Sequence, residues 1–212
     1  MSDGLDTMVE ERHAVFVEPE GAARAAVVDW KARIARQFPG SAYLHHPPHG
    51  TLWVGHVSRA DDALAALRRA VAAVPAVAGF ACRPHVFYDD AMAGGGQTCA
   101  FAAPLTSDLA ALQHAVSEAL VPYCAVPALV DVPAPLRHEP FVSSVRRYGF
   151  PFVGAHWIPH FTVASLLIPR DAALIHEFLE EGPQPSDSIQ YVSWWRIVGD
   201  DHERGERMSL LS

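Results

Sequence analysis

The chain of 212 residues has a single lysine, Lys31, and three cysteines, Cys82, Cys99 and Cys124. One lysine argues against Schiff-base chemistry, and no Gly-Lys-Ser or Gly-Lys-Thr triplet is present to cradle a nucleoside triphosphate. An odd number of cysteines without CxxC spacing argues against a disulfide framework and a cysteine zinc site, and fits a reducing, cytoplasmic setting. No apolar run approaches the ~20 residues that would span a bilayer. Residues 1–12 lack the positive start and apolar core of a signal peptide and read as a loose leader. Positive charge is scarce as well: 16 Lys+Arg stand against 24 Asp+Glu, a net charge of −8. That balance argues against wrapping long nucleic acid, which rests on neutralising many phosphates. A small phosphorylated ligand needs only local positive charge.

What is present is a globular composition, 50% apolar and 19% charged, long enough for a single domain of two lobes over 1–212. HAVFV (13–17) reads as a strand, followed by a helix over 22–38 that Pro39-Gly40 stops. The segment from Tyr43 to His49 contains Pro47 and Pro48 and must be loop. GTLWVGHV (50–57) is a predicted strand, and Ser58 the predicted cap of a helix over 60–74. Strands over 77–88 and 97–103 flank a Gly-rich hairpin loop, and a helix follows from Thr106 or Ser107 to Leu120. The proline-dense stretch 126–153 reads as a long irregular loop and candidate lid. A strand over 156–167, a helix over 170–181, a strand over 189–198 and a short last strand complete the chain. Strands and helices without a regular βαβ rhythm predict an α+β fold with mainly antiparallel sheet.

The remaining oddity is 12 histidines in an acidic chain. Two predicted strands open alike: His49-Gly50-Thr51-Leu52 and His160-Phe161-Thr162-Val163. With only five threonines, H-x-T should arise by composition about 0.3 times in such a chain. Residues i and i+2 of a strand share a face. Each motif therefore sets an imidazole beside a hydroxyl, with Leu52 and Val163 turned into packing. Two imidazoles can serve as general base and general acid on one phosphorus, and two hydroxyls can hydrogen-bond its non-bridging oxygens, with no metal required.

The duplicated H-x-T-hydrophobic motif, half a chain apart, resembles the 2H phosphoesterase superfamily, the group of 2′-5′ RNA ligases and cyclic nucleotide phosphodiesterases. The resemblance runs from the HAVFV strand to the IQYVSWWRIV strand. It implies a bilobal fold, two mainly antiparallel sheets flanking a central cleft with helices outside. It implies metal-independent chemistry on a 2′,3′-cyclic phosphate or 2′-5′ phosphodiester, with no cofactor. His49 and His160 would be the acid/base pair, and Thr51 and Thr162 the phosphate ligands. Ser165 stands where many ligase-like members carry arginine; with the long 126–153 stretch, this favours a smaller or more specialised substrate over RNA.

Further candidates follow from position. Trp53 shares parity with His49 and Thr51, as a floor for the cleft or as plain core. Tyr43 and Trp157 flank the motifs and are candidates to stack on a base. Arg146 and Arg147 lie in the suspected lid, able to grip an anion. Two alternatives stand beside the enzyme: a repurposed fold that binds or transforms a phosphorylated, nucleotide-like metabolite, and a metallohydrolase using His45, His46 and His49. Prolines splay the chain between those three, so no metal site is assigned.

Overall fold

The computed structural model describes residues 11–199 and 201–211. The element order is β1 (Glu11–Val17), α1 (Gly21–Gln37), β2 (Gly50–Gly55), α2 (Ala60–Val71), β3 (Phe80–Asp90), β4 (Gly96–Ala102), α3 (Ser107–Leu120), α4 (Phe141–Tyr148), β5 (His160–Leu166), α5 (Ala173–Leu179), β6 (Gln184–Ser186), β7 (Tyr191–Val198) and β8 (Asp201–Ser209). The strands form two antiparallel four-stranded sheets, in the orders β2-β1-β7-β8 and β5-β4-β3-β6. This is the α+β class expected. Of the predicted leader, residues 1–10 lie outside the described residues, and Glu11 and Arg12 open β1.

Helices α2 and α3 pack on the first sheet, α1 and α5 on the second. Their apolar stripes explain why. Val27, Trp30 and Ile34 of α1, Ala63, Leu67 and Val71 of α2, and Leu109, Leu112, Val116 and Leu120 of α3 recur at helical spacing and are buried. They join Val15, Val17, Leu52, Phe101, Phe161 and Val163 from the strands in one core. The opposite side of the first sheet carries a small cluster of its own: Ala14, Phe16, Trp195 and Ile197.

Three expectations are corrected. The predicted cap Ser58 gives its hydroxyl to the Tyr123 carbonyl at 3.1 Å, and Arg59 occupies the N-cap position of α2. That helix ends at Val71, three residues short of the prediction. The stretch 126–153 is not irregular throughout. It holds a 3₁₀ turn at Ala134–Leu136 and α4, packed around Val132, Leu136 and Val145. Pro135 lies in the first turn of the 3₁₀ segment and Pro140 immediately precedes α4, positions where a missing N–H costs nothing.

Both motif strands carry a β-bulge at the same place. In the first sheet Thr51 pairs with Phe16 and Trp53 with Val15, leaving Leu52 extra. In the second, Thr162 pairs with Ala100 and Ala164 with Cys99, leaving Val163 extra. A bulge of this kind re-aims the side chains beyond it. In each case it falls immediately after the threonine.

Candidate active site

Strands β2 and β5 touch at their first residues. A Cβ added to Gly50 would lie 3.1 Å from the His160 carbonyl oxygen and 3.1 Å from the Phe161 ring. Glycine permits this approach. The indole Nε1 of Trp157 donates to the Thr51 carbonyl at 3.1 Å, tying the approach to the second motif onto the first. Motifs that lie half a chain apart in sequence thus begin side by side.

The histidines are held in matching ways. His49 Nδ1 lies 2.7 Å from the carbonyl of Pro47, and His160 Nδ1 lies 2.7 Å from the carbonyl of Ile158, each two residues back. A carbonyl only accepts, so Nδ1 must carry the proton in both rings, which leaves Nε2 as the acceptor. Each ring also rests against a phenylalanine. Phe16 stacks on His49 with centroids 3.8 Å apart and planes 20° apart. Phe87 lies 4.8 Å from His160. Each imidazole keeps some accessible surface but is walled in by its neighbours. Burial, aided by nearby His202, His46 and Lys31 and opposed by the Pro47 carbonyl, draws His49 down to about 3. Burial likewise lowers His160; the Ile158 carbonyl and Asp90 oppose the shift and His85 adds to it. Both rings are therefore neutral near pH 7 in the free protein.

Thr51 and Thr162 are half-buried, on the strand faces opposite the helices. Among the described residues neither hydroxyl is engaged by a protein group. The other expected residues divide. Tyr43 stands at the edge of the site, in edge contact with His46 and donating its hydroxyl to the Met92 carbonyl at 3.2 Å. Trp53 is fully buried in the core, and its Nε1 donates to the Tyr148 carbonyl at 2.8 Å. The bulge at Leu52 reverses the parity that aligned it with Thr51. Trp157 is also buried, its N–H spent on Thr51, so its ring does not face the groove. Arg147 is committed to Glu118 at 2.7 Å, and Arg146 is exposed on α4; nothing brings either to the histidines.

The structure adds residues that sequence reasoning did not assign to the acid/base site, His46 having entered only as a candidate metal ligand beside His49. Phe16 and Phe87 read only as strand hydrophobics. His46 and His202 gather by His49, with His46 and His202 centroids 4.1 Å apart and His49 and His202 5.8 Å apart. His202 arrives from β8, so no spacing in the sequence could link it to His49. On β3, Arg83 alternates with His85 and Phe87, and its register partner Ala102 pairs in turn with His160. Arg83 is exposed on that face and has no ion-pair partner among the described residues. Among the described residues no group of three His, Cys, Asp or Glu side chains is placed to hold a metal ion, and no helix is long and apolar enough to cross a membrane.

No protein-family model and no curated protein matches the chain. Solved structures do. TT0787 of Thermus thermophilus is similar over 94% of this chain and 97% of its own, with a TM-score of 0.57 and 16% identity. Escherichia coli LigT, solved with NADP+, is similar over 95% of this chain and 98% of its own, with a TM-score of 0.52 and 12% identity. LigT solved with 3′-AMP gives a TM-score of 0.51 over 95% of this chain and 99% of its own, at 13% identity. The two antiparallel sheets and the helices packed on them thus have the same fold as LigT, similar over nearly the whole length of both chains.

Proposed function

We propose that the protein is a phosphoesterase that opens a small 2′,3′-cyclic phosphate, or cleaves a 2′-5′ phosphodiester, with His49 and His160 as its acid/base pair. The observation that carries this reading is the paired Nδ1 anchoring. Both imidazoles are held in the tautomer that leaves Nε2 unprotonated, and His49 immediately precedes, and His160 opens, strands that touch. One Nε2 takes a proton from water as its oxygen attacks phosphorus. The bond from phosphorus to one ribose oxygen breaks, and the other imidazole, in its protonated form, delivers a proton to that oxygen. The product is a phosphomonoester; the first imidazole ends protonated and the second neutral, and exchange of one proton with solvent at each ring restores the pair. Thr51 and Thr162 donate to the non-bridging oxygens, where charge develops in the transition state. A ring that is neutral in the free protein must gain its proton as the anionic substrate enters, since a phosphate at hydrogen-bond distance favours imidazolium.

LigT holds NADP+ and 3′-AMP in its solved structures, which supports a nucleotide-like ligand here. Tyr43, at the edge of the site, is the remaining candidate to meet a base. The chain's acidic balance supports a small substrate over long nucleic acid. The test is turnover of 2′,3′-cyclic nucleotides in EDTA. His49→Ala and His160→Ala should each lower kcat by about 10²–10⁴-fold. Wild-type turnover in both variants would refute the assignment. Ligand-induced thermal stabilisation by a cyclic nucleotide with no product formed would favour a binding protein on the same fold.

A further inference from the structure

Beside the small buried serines Ser117 and Ser144, two long polar side chains interrupt the apolar stripes of the helices. Lys31 falls between Val27 and Ile34 on the buried face of α1, and Gln113 between Leu109 and Val116 on that of α3. Helical periodicity calls for apolar residues at both positions. Both are buried, at 8% and 1% exposure, where an unsatisfied polar group is costly.

Their partners explain the exception. Lys31 Nζ donates to the Val163 carbonyl at 2.8 Å, the Tyr43 carbonyl at 2.6 Å and the Leu44 carbonyl at 3.4 Å. Val163 is the bulge residue of the second motif; Tyr43 and Leu44 lead into the first. Gln113 is arranged the other way round. Its Nε2 approaches the Leu52 carbonyl, the bulge residue of the first motif, at 3.5 Å and donates to Phe152 at 2.8 Å. Its Oε1 accepts from the Gly154 N–H at 3.0 Å. Phe152 and Gly154 lead into the second motif. Each helix thus sends one buried side chain to the bulge of one motif and the approach to the other. Tyr43 sits in the left-handed region at φ 66°, a conformation unfavourable for a side-chain-bearing residue, and its carbonyl is one that Lys31 holds. Burial lowers the Lys31 pKa to about 8, so the ammonium and its three donors persist at pH 7.

We propose that Lys31 and Gln113 are a matched pair of positioning residues, each clamping one motif's bulge to the other motif's lead-in so that the two histidine–threonine pairs hold a fixed separation. The proposal rests on the reading of His49 and His160 as the acid/base pair. Neither clamp touches the reacting atoms. Misplacing reacting groups by an ångström costs about 10²-fold in rate.

The experiment compares Lys31→Met, Lys31→Arg and Gln113→Leu with wild type for melting temperature, kinetics on 2′,3′-cyclic AMP, and ring ¹⁵N signals of His49 and His160. Those signals are assigned with His49→Asn and His160→Asn. Lys31→Met and Gln113→Leu should each lower kcat by roughly 30- to 100-fold while KM moves less than about threefold. Both histidine signals should shift in each variant, because each clamp reaches both motifs. Lys31→Arg should recover at least about fivefold of the kcat lost in Lys31→Met, since it restores donors and charge. A folded variant with wild-type kcat and unmoved histidine signals would overturn the proposal. If Lys31→Met melts below the assay temperature, the uncharged, similarly sized Gln113→Leu decides by the same criteria. If the wild type turns over no cyclic phosphate, the acid/base reading falls, and the histidine signals alone decide whether the clamps act on both motifs.

Discussion

The depressed pKa of His49 makes stability a function of pH, and the size of the effect can be worked out. The ring is neutral in the folded protein down to about pH 3. Unfolded, it titrates at its ordinary value near 6.5. Between these values the unfolded chain binds the proton that the folded chain refuses, so stability falls as pH falls through this window. From pH 7 to pH 5 His49 alone should cost about 2 kcal/mol. His160, shifted in the same direction by burial, adds to the loss. The assay is urea denaturation at pH 7 and pH 5 of wild type and His49→Asn, whose amide N–H can replace Nδ1–H toward the Pro47 carbonyl. The variant should lose about 2 kcal/mol less than wild type over this interval. Equal losses would refute the argument that Phe16, His46 and His202 enclose a neutral ring. Saturating inorganic phosphate should shrink the wild-type loss, because a bound anion favours imidazolium.

Other expectations follow from particular contacts. Gly50→Ala would bring a methyl to 3.1 Å from the His160 carbonyl and 3.0 Å from Val17. It should lower kcat by about 10-fold or more through displaced motif strands, read by steady-state kinetics against a melting curve. Thr51→Val and Thr162→Val keep the β-branched shape but remove the hydroxyl; each should cost about 10- to 100-fold in kcat/KM, with Thr→Ser largely restoring it. Trp157→Phe leaves the Thr51 carbonyl without its 3.1 Å partner and should destabilise by about 1–3 kcal/mol in urea titrations. Arg83→Gln should raise KM for cyclic nucleotides severalfold with kcat little changed, if the exposed guanidinium on the His160 face meets a substrate anion.

The helices α1 and α3, the strands around the motifs and the motifs themselves were readable because their information is local: a 3.6-residue apolar stripe, a capping Thr106 that accepts from the Leu109 N–H, two H-x-T runs. The helix α4 was hidden by proline density, since the order of prolines and apolar residues matters more than their number. Of the two places open to Trp53, core rather than cleft floor is the one it takes, because parity counts assume an unbroken ladder and a bulge depends on the partner strand as much as on the strand itself.

The amino-acid sequence by itself determined that two imidazole–hydroxyl pairs exist, that each begins a strand, and that the chain is acidic with one lysine. Only the tertiary structure decided which groups surround them. Phe16 and His202 reach His49 from β1 and β8, and Phe87 reaches His160 from β3. Lys31 and Gln113 meet carbonyls on segments distant in sequence. The physical reason is that an imidazole's chemistry is set by its neighbours in space, through desolvation and hydrogen bonding, and those neighbours are chosen by how two sheets meet rather than by spacing along the chain.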